Sequence, residues 1–184
     1  MNFLPQKIPE IILIHPTLHS DKRGYFAETF RQDLFNQAVG HEVYFIQENE
    51  SRSNKGVLRG LHYQLDPFSQ AKLVKVIEGT VLDVVVDIRK SSQTFGQHMS
   101  FELSSKNKYQ LYVPRGFAHG FVVLSNCATF SYKVDNYYVP EYERGIAFDD
   151  IDLGIDWRLP KENLLISEKD KNNPIFTEIK DKFS

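Results

Sequence analysis

From Val57 onward the chain breaks into short apolar-rich runs with no helical stretch between one and the next. Strand-like runs fall near 57–64, 71–77, 80–88, 98–103, 109–112, 119–124 and 128–138. Gly79, Ser91-Ser92, Lys106-Asn107 and Ser125-Asn126 punctuate them. Parallel strands need a crossover of a dozen or more residues, most often a helix, and this spacing leaves no room for one. The pattern therefore predicts an all-β, antiparallel sandwich or barrel of jelly-roll kind, with a few short peripheral helices. At 184 residues, with 41% hydrophobic content, no repeats and no low-complexity tract, the chain suits one domain over 1–184.

Upstream, residues 8–15 are expected to open the fold as an edge strand, with Pro9 at its start. Asp21-Lys22-Arg23-Gly24 predicts a turn, and the alternating aromatics from Tyr25 to Phe30 a strand. Arg31 to Val39 predicts a helix with Leu34, Phe35 and Ala38 on one side. Val43 to Gln47 then returns to strand, and Asn49 to Lys55 is expected as a polar loop. After Pro140 the character changes, and Ser167-Glu168-Lys169-Asp170 predicts a short capped turn of helix. In Val81–Ile88 one face carries Leu82, Val84, Val86 and Ile88, the other Val81, Asp83, Val85 and Asp87. Valine mixed with aspartate is a poor core, so that second face is expected to line a cavity.

A formal net charge of −2 gives no field that would draw nucleic acid or an anionic membrane to the whole surface. No run is long enough to cross a bilayer as a helix, and the opening Met-Asn-Phe-Leu-Pro lacks a signal-peptide layout. One cysteine, Cys127, excludes an internal disulfide and fits a reducing compartment, so a cytoplasmic location is expected.

Two stretches carry chemistry. Gly56-Val57-Leu58-Arg59-Gly60-Leu61-His62-Tyr63-Gln64 has an echo in Pro114-Arg115-Gly116-Phe117-Ala118-His119-Gly120-Phe121. Each sets a histidine in an apolar run broken by glycine, and facing one another they would make a pocket with two imidazoles. A metal site would want His-x-His, but the partner position holds Gln64 and no glutamate follows nearby. Two imidazoles and an amide are a weak set for a divalent ion, so no metal is expected and acid–base work is favoured. His62 shares its face with Gly60 and Gln64, where a core histidine would have apolar neighbours. Imidazole titrates near neutrality and suits proton abstraction, given a carboxylate to orient it. Spacing leaves Asp83, Asp87 and Asp170 all open for that role.

Lys72 is in phase with Val74 and Val76, which turns it either inward toward an anion or into solvent at the strand end. Tyr132, in phase with Phe130 and Val134, is core packing or a proton-carrying phenol. Arg23 and Arg59 have the fork geometry for phosphate. Arg59 is out of phase with His62 on a regular strand, and a bulge at Gly60 is required to bring both to one pocket. Tyr138 is either a stacking surface for a base or rim packing.

Taken in order, several pieces resemble the dTDP-4-dehydrorhamnose 3,5-epimerase family of the cupin superfamily, from about Arg23 to Asp170. They are Asp21 through Glu28, Gln47-Glu48-Asn49, Gly56 through Gln64, Gln70 through Val74, Pro114 through Phe121, Tyr132-Lys133 and Ser167 through Asp170. The resemblance implies a cupin-type jelly roll and a cofactor-independent, metal-free epimerase of a nucleotide-activated 4-keto sugar. It implies that His62 removes protons beside the ketone, oriented by Asp170, and that Tyr132 returns a proton from the opposite face. Lys72 would sit beside the sugar oxygen where enolate charge develops. Arg23, Phe26, Glu28, Gln47, Asn49, Arg59, His119, Glu143 and Lys169 match nucleotide- or sugar-binding positions, and Tyr138 the aromatic that stacks on thymine. It further implies a homodimer in which the N-terminal portion of one chain reaches the other's site. Two residues depart from the pattern: Glu48 stands where aspartate is expected, and His98 where tryptophan is frequent. The product implied is the double epimer, dTDP-4-dehydro-L-rhamnose. The alternatives are a single-site 3-epimerase and a non-catalytic cupin that binds sugar nucleotide.

Overall fold

A computed structural model describes residues 1–179 and residue 183. In chain order the elements are β1 Asn2–Pro5, β2 Ile12–His15, β3 His19–Asp21, β4 Gly24–Phe26, α1 Gln32–Val39, β5 Gln47–Asn54, β6 Val57–Gln64, β7 Lys72–Glu78 and β8 Thr80–Asp87. They continue with β9 His98–Ser104, β10 Gln110–Val113, β11 Phe117–Val123, β12 Cys127–Val134, β13 Glu143–Gly145, β14 Leu165–Ile166 and α2 Glu168–Lys171. One sheet runs β1-β2-β10-β7-β12-β5; the facing sheet runs β13-β6-β11-β8-β9, with β14 parallel to the start of β6. Among the described residues the other strand-to-strand pairings are antiparallel, as the short connections require; an isolated parallel bridge joins Arg89 to Phe183, and β3–β4 stand apart as a two-stranded ribbon.

The sheets pack face to face over a core of side chains one strand apart in phase. Val74 and Val76 of β7, Leu111 and Val113 of β10, and Ala128 and Phe130 of β12 meet Val81 and Val85 of β8 and Phe117, Phe121 and Val123 of β11. The outer face of the β8 sheet is not solvated. Leu58, Leu61, Leu82, Val84, Val86 and Val122 are covered by Ile146, Phe148, Trp157 and Phe176 of the C-terminal segment. On the other side, α1 lays Phe35 against Tyr112, Ile12, Ile14 and Leu73. Strand β8 is therefore buried on both faces, which is why it reads as a nearly continuous valine run.

Several expectations need correction. The strand expected over 8–15 starts only at Ile12; Ile8 and Ile11 are buried in the turn that joins β2 to β1 over Asn2–Pro5. The strand expected over 25–30 ends at Phe26, and the one over 128–138 at Val134. The largest miss is β5. Val43 to Ile46 is not strand, whereas the supposed polar loop is an eight-residue strand paired along its length with β12. The expected cavity face of β8 is mostly core: Val81 and Val85 are fully buried between the sheets. Asp87 is closed off by Arg89, Ser92 and Thr94, so it lines nothing. The helix expected over Arg31–Val39 forms from Gln32, with Arg31 extended at its N-cap position, and is closed by Gly40 in the left-handed conformation.

Candidate active site

Between the sheets, at the end where the apolar core gives out, lie two contiguous cavities of about 460 and 440 Å³ that share His62, Lys72 and Tyr132. Both walls matter. His62 stands on β6 of one sheet and Tyr132 on β12 of the other, so an imidazole and a phenol enter from opposite sides. Phe121 and Phe130, stacked at 4.2 Å, line the space with them.

The bulge required at Gly60 is present. His62 pairs with His119 and Arg59 with Phe121, so β6 holds one more residue than β11 between these rungs. As a result Leu58 and Leu61, three apart, both join the outer core, while Arg59 and His62, also three apart, both line the cavity. Gly60 has φ +122°, and a Cβ there would lie 2.6 Å from Gly120 Cα and 2.8 Å from the His119 carbonyl oxygen. Conformation and close approach both demand glycine at 60.

His62 Nε2 lies 2.6 Å from Asp170 Oδ1. Of the three aspartates left open by spacing, Asp170 is the one bonded to this ring. It arrives on α2: β14 pairs with the start of β6, Ser167 caps the helix by accepting from the Asp170 amide, and the Gly60 amide donates to Asp170 Oδ2 at 3.4 Å. Burial pushes the Asp170 carboxyl up, but the His62 contact and these donors outweigh it and hold it below its ordinary value. With a proton on Nε2 held by that carboxylate, Nδ1 of His62 keeps a basic lone pair. Asp83 serves the second imidazole instead: His119 Nε2 lies 2.8 Å from its Oδ2, and burial raises the Asp83 carboxyl against the opposing pull of His119 and Lys72.

Lys72 turns inward, in phase with the buried Val74 and Val76, and burial brings its ammonium down to about 8 against the pull of Asp83 and Glu143. Tyr132 is raised by burial, against a hydrogen bond with Asn49 and the charge of Arg59, so it is a protonated phenol at neutral pH. Gln47 donates to Asn49 at 2.8 Å. At the mouth, Glu143 Oε2 accepts from the Tyr138 hydroxyl at 2.6 Å and from the Lys169 ammonium. The bond to Glu143 drives the Tyr138 phenol up to about 12. Burial raises Glu143 itself, but its bonds from Lys169 and Tyr138 leave it below the usual carboxylate range.

His62, Lys72, Tyr132, Asp170, Arg59, His119, Lys169, Gln47, Asn49, Tyr138 and Glu143 thus meet around one space. Arg23, Phe26 and Glu28 do not. Arg23 lies on the β3–β4 ribbon, its side chain 89% exposed and paired with Asp21. Phe26, 70% exposed, and Glu28 border a separate surface cleft with Lys75 and Lys133. Of the two departures, Glu48 is held on the outer side of β5 and β12 by Lys133 and Ser131, while His98 begins β9. Gln64 commits its amide to the Phe68 and Tyr137 carbonyls and the Val139 amide, which removes it as a ligand for anything in the cavity. Sequence reasoning missed Ser51, Leu165 and Ser53. The first two line the cavity directly and the third touches Arg59 from behind. The i, i+2 spacing from Gln47 through Ser53 is the signal that could have found the two serines.

A profile of the family described as dTDP-4-dehydrorhamnose 3,5-epimerase matches residues 5–178. The chain is 50% identical over 178 residues to the dTDP-4-dehydrorhamnose 3,5-epimerase of Shigella flexneri, covering 97% of each. It is similar to the crystal structure of that enzyme from Elizabethkingia anophelis, with a TM-score of 0.95, 49% identity and 98% of each chain covered. It is also similar to the Legionella pneumophila epimerase solved in complex with dTDP-4-keto-L-rhamnose (TM-score 0.92, 46% identity, 97% and 94% covered). These neighbours share the cupin-like jelly-roll sandwich.

Proposed function

The chain belongs to the dTDP-4-dehydrorhamnose 3,5-epimerase family, and from that membership we propose which side chain performs each step. The protein is an isomerase of dTDP-L-rhamnose biosynthesis that inverts C3 and C5 of dTDP-4-dehydro-6-deoxy-D-glucose to give dTDP-4-dehydro-L-rhamnose. Both carbons flank the C4 ketone, so their protons are acidified by enolate formation and no redox cofactor is needed.

His62 removes each proton, held in one tautomer and orientation by Asp170. Negative charge builds on the C4 oxygen, where Lys72 neutralises it. Tyr132 delivers a proton from the other sheet, which sets the inverted configuration. His119, fixed by Asp83, presents a second imidazole beside the sugar. Arg59 and Lys169 hold the diphosphate, Tyr138 stacks on thymine, and Gln47, Asn49 and Glu143 complete the nucleotide contacts. Binding energy from these remote groups aligns the ring between base and acid.

The observation that carries this reading is the His62–Asp170 pair, 2.6 Å apart, on the wall facing Tyr132. It is tested in heavy water with substrate, reading deuterium at C3 and C5 by NMR. Wild type should exchange and invert both positions. His62→Ala and Asp170→Asn should each lower both by about 10²- to 10⁴-fold without loss of fold. Tyr132→Phe should depress inversion more than exchange; equal loss of the two would remove Tyr132 from the donor role. Exchange at one carbon only would make the protein a single-site epimerase.

Arg23, Phe26 and Glu28 belong to the neighbouring subunit's site in a homodimer. Support comes from the ribbon itself: Tyr25 and Phe26 are 56% and 70% exposed, more apolar surface than a ribbon in water needs. The lone free cysteine, Cys127, fits a cytoplasmic setting.

A further inference from the structure

Arg59 differs from the other arginines described above in what it is bonded to. Arg23 and Arg31 are closed into ion pairs with Asp21 and Asp33, and Arg89 with Asp87 and Glu10. Among the described residues Arg59 has no carboxylate partner. Its Nε donates instead to Ser53 Oγ at 3.2 Å. Ser53 is 7% exposed and sits mid-rung on β5 opposite Ala128, on the same face as Gln47, Asn49 and Ser51. Its place is therefore fixed by strand pairing, not by a loop.

We propose that Ser53 is a positioning residue for the diphosphate subsite, a neutral acceptor that fixes the guanidinium of Arg59 without cancelling its charge. A guanidinium grips an oxyanion through paired N–H groups on one edge. Fixing the Nε edge from behind leaves the two terminal nitrogens directed as a fork, and removes part of the rotamer entropy that binding would otherwise have to overcome. An aspartate at this position would fix the same edge but form an ion pair, and the anion would then compete with a resident carboxylate. The bulge at Gly60 brings Arg59 into the cavity; Ser53 sets where its fork points once there.

This rests on the reading of Arg59 as a diphosphate-binding cation, and the experiment separates the two. Kd for dTDP and the steady-state constants are measured for Ser53→Ala, Arg59→Ala and the double variant. Loss of one hydrogen bond to a charged group should raise Kd and KM about three- to tenfold in Ser53→Ala, with the effect falling on KM and not on kcat. Arg59→Ala should weaken dTDP more, and adding Ser53→Ala to it should change nothing further, because the serine acts only through the arginine. A Ser53→Ala penalty that persists undiminished in the Arg59→Ala background overturns the proposal, as does an unchanged Kd with a lowered Tm, which would make Ser53 structural. If Arg59→Ala alone leaves dTDP affinity intact, the assignment of Arg59 itself is what has failed, and the positioning role falls with it.

Discussion

Lys72 is the residue at which the electrostatics of the cavity can be read out by pH. Burial lowers its ammonium to about 8, so the charge is present below that pH and lost above it. If the cation relieves enolate charge, kcat/KM, which reports the free enzyme, should fall on the alkaline side with a midpoint near 8. Lys72→Arg keeps its charge throughout this range, and should lower activity while abolishing that limb. An alkaline limb that survives unchanged in Lys72→Arg belongs to another group. Lys72 was half legible in sequence, since its phase with Val74 and Val76 pointed inward without saying what waited there. Asp170 was not legible from spacing at all. It lies 108 positions from His62, and Asp83 and Asp87 were equally good carboxylates until strand pairing gave one to His119 and the other to Arg89. Only the likeness of Ser167 through Asp170 to a family motif chose among them.

Among the elements, β6 carries the decisive irregularity. A regular strand would turn either Arg59 or His62 out of the cavity, and the extra residue at Gly60 keeps both. Gly60→Ala must accept a φ outside the ordinary range, worth about 1–3 kcal/mol, and a methyl 2.6 Å from Gly120 Cα besides. A total near 3 kcal/mol corresponds to a Tm about 6–12 °C lower for a chain of this size. Turnover should fall with it, as the bulge relaxes; a variant with wild-type Tm and kcat would show that β6 can reach its register another way. The same strand shows why sequence patterning succeeded where it did. The need for a bulge followed from two residue types three apart, before any pairing was known. β5 shows the converse. Gln47, Asn49, Glu50 and Ser51 line a polar cavity, Ser53 backs Arg59, and Glu48 and Arg52 pair with Lys133 and Glu78 outside it, so neither face is apolar and no alternation marks the strand. Strands that line polar sites lose the signal by which strands are found. β8 erred in the opposite direction: two buried aspartates suggested a cavity, but each is satisfied within the core by a cation or imidazole.

At the scale of the whole molecule, the ribbon β3–β4 holds Arg23 and Phe26 away from the cavity that their proposed role requires. Exchange of ribbons between two copies makes a sharp prediction. Arg23→Ala and His62→Ala are each impaired, but in a mixed dimer the site with an intact His62 receives an intact ribbon from its partner. Random re-pairing of equal amounts should then restore about one competent site in four. No recovery after subunit exchange would mean that each ribbon serves its own chain. The sandwich itself, with its antiparallel order and short helices, was legible from turn spacing alone, because connections too short for a crossover admit few topologies. The covering of its outer face was not: Ile146, Phe148, Trp157 and Phe176 lie beyond the last strand-like run, in a segment with no periodicity. That covering segment also delivers Asp170, the carboxylate bonded to His62, so the two halves of the dyad are made far apart in time on the ribosome. A nascent chain that has emerged only through β12 lacks β13, β14 and the side chains that cover Leu58, Leu61 and Leu82, and its imidazole has no carboxylate to orient it. Termination anywhere before α2 would remove Lys169 and Asp170 together, which makes this enzyme's activity a report on near-complete translation.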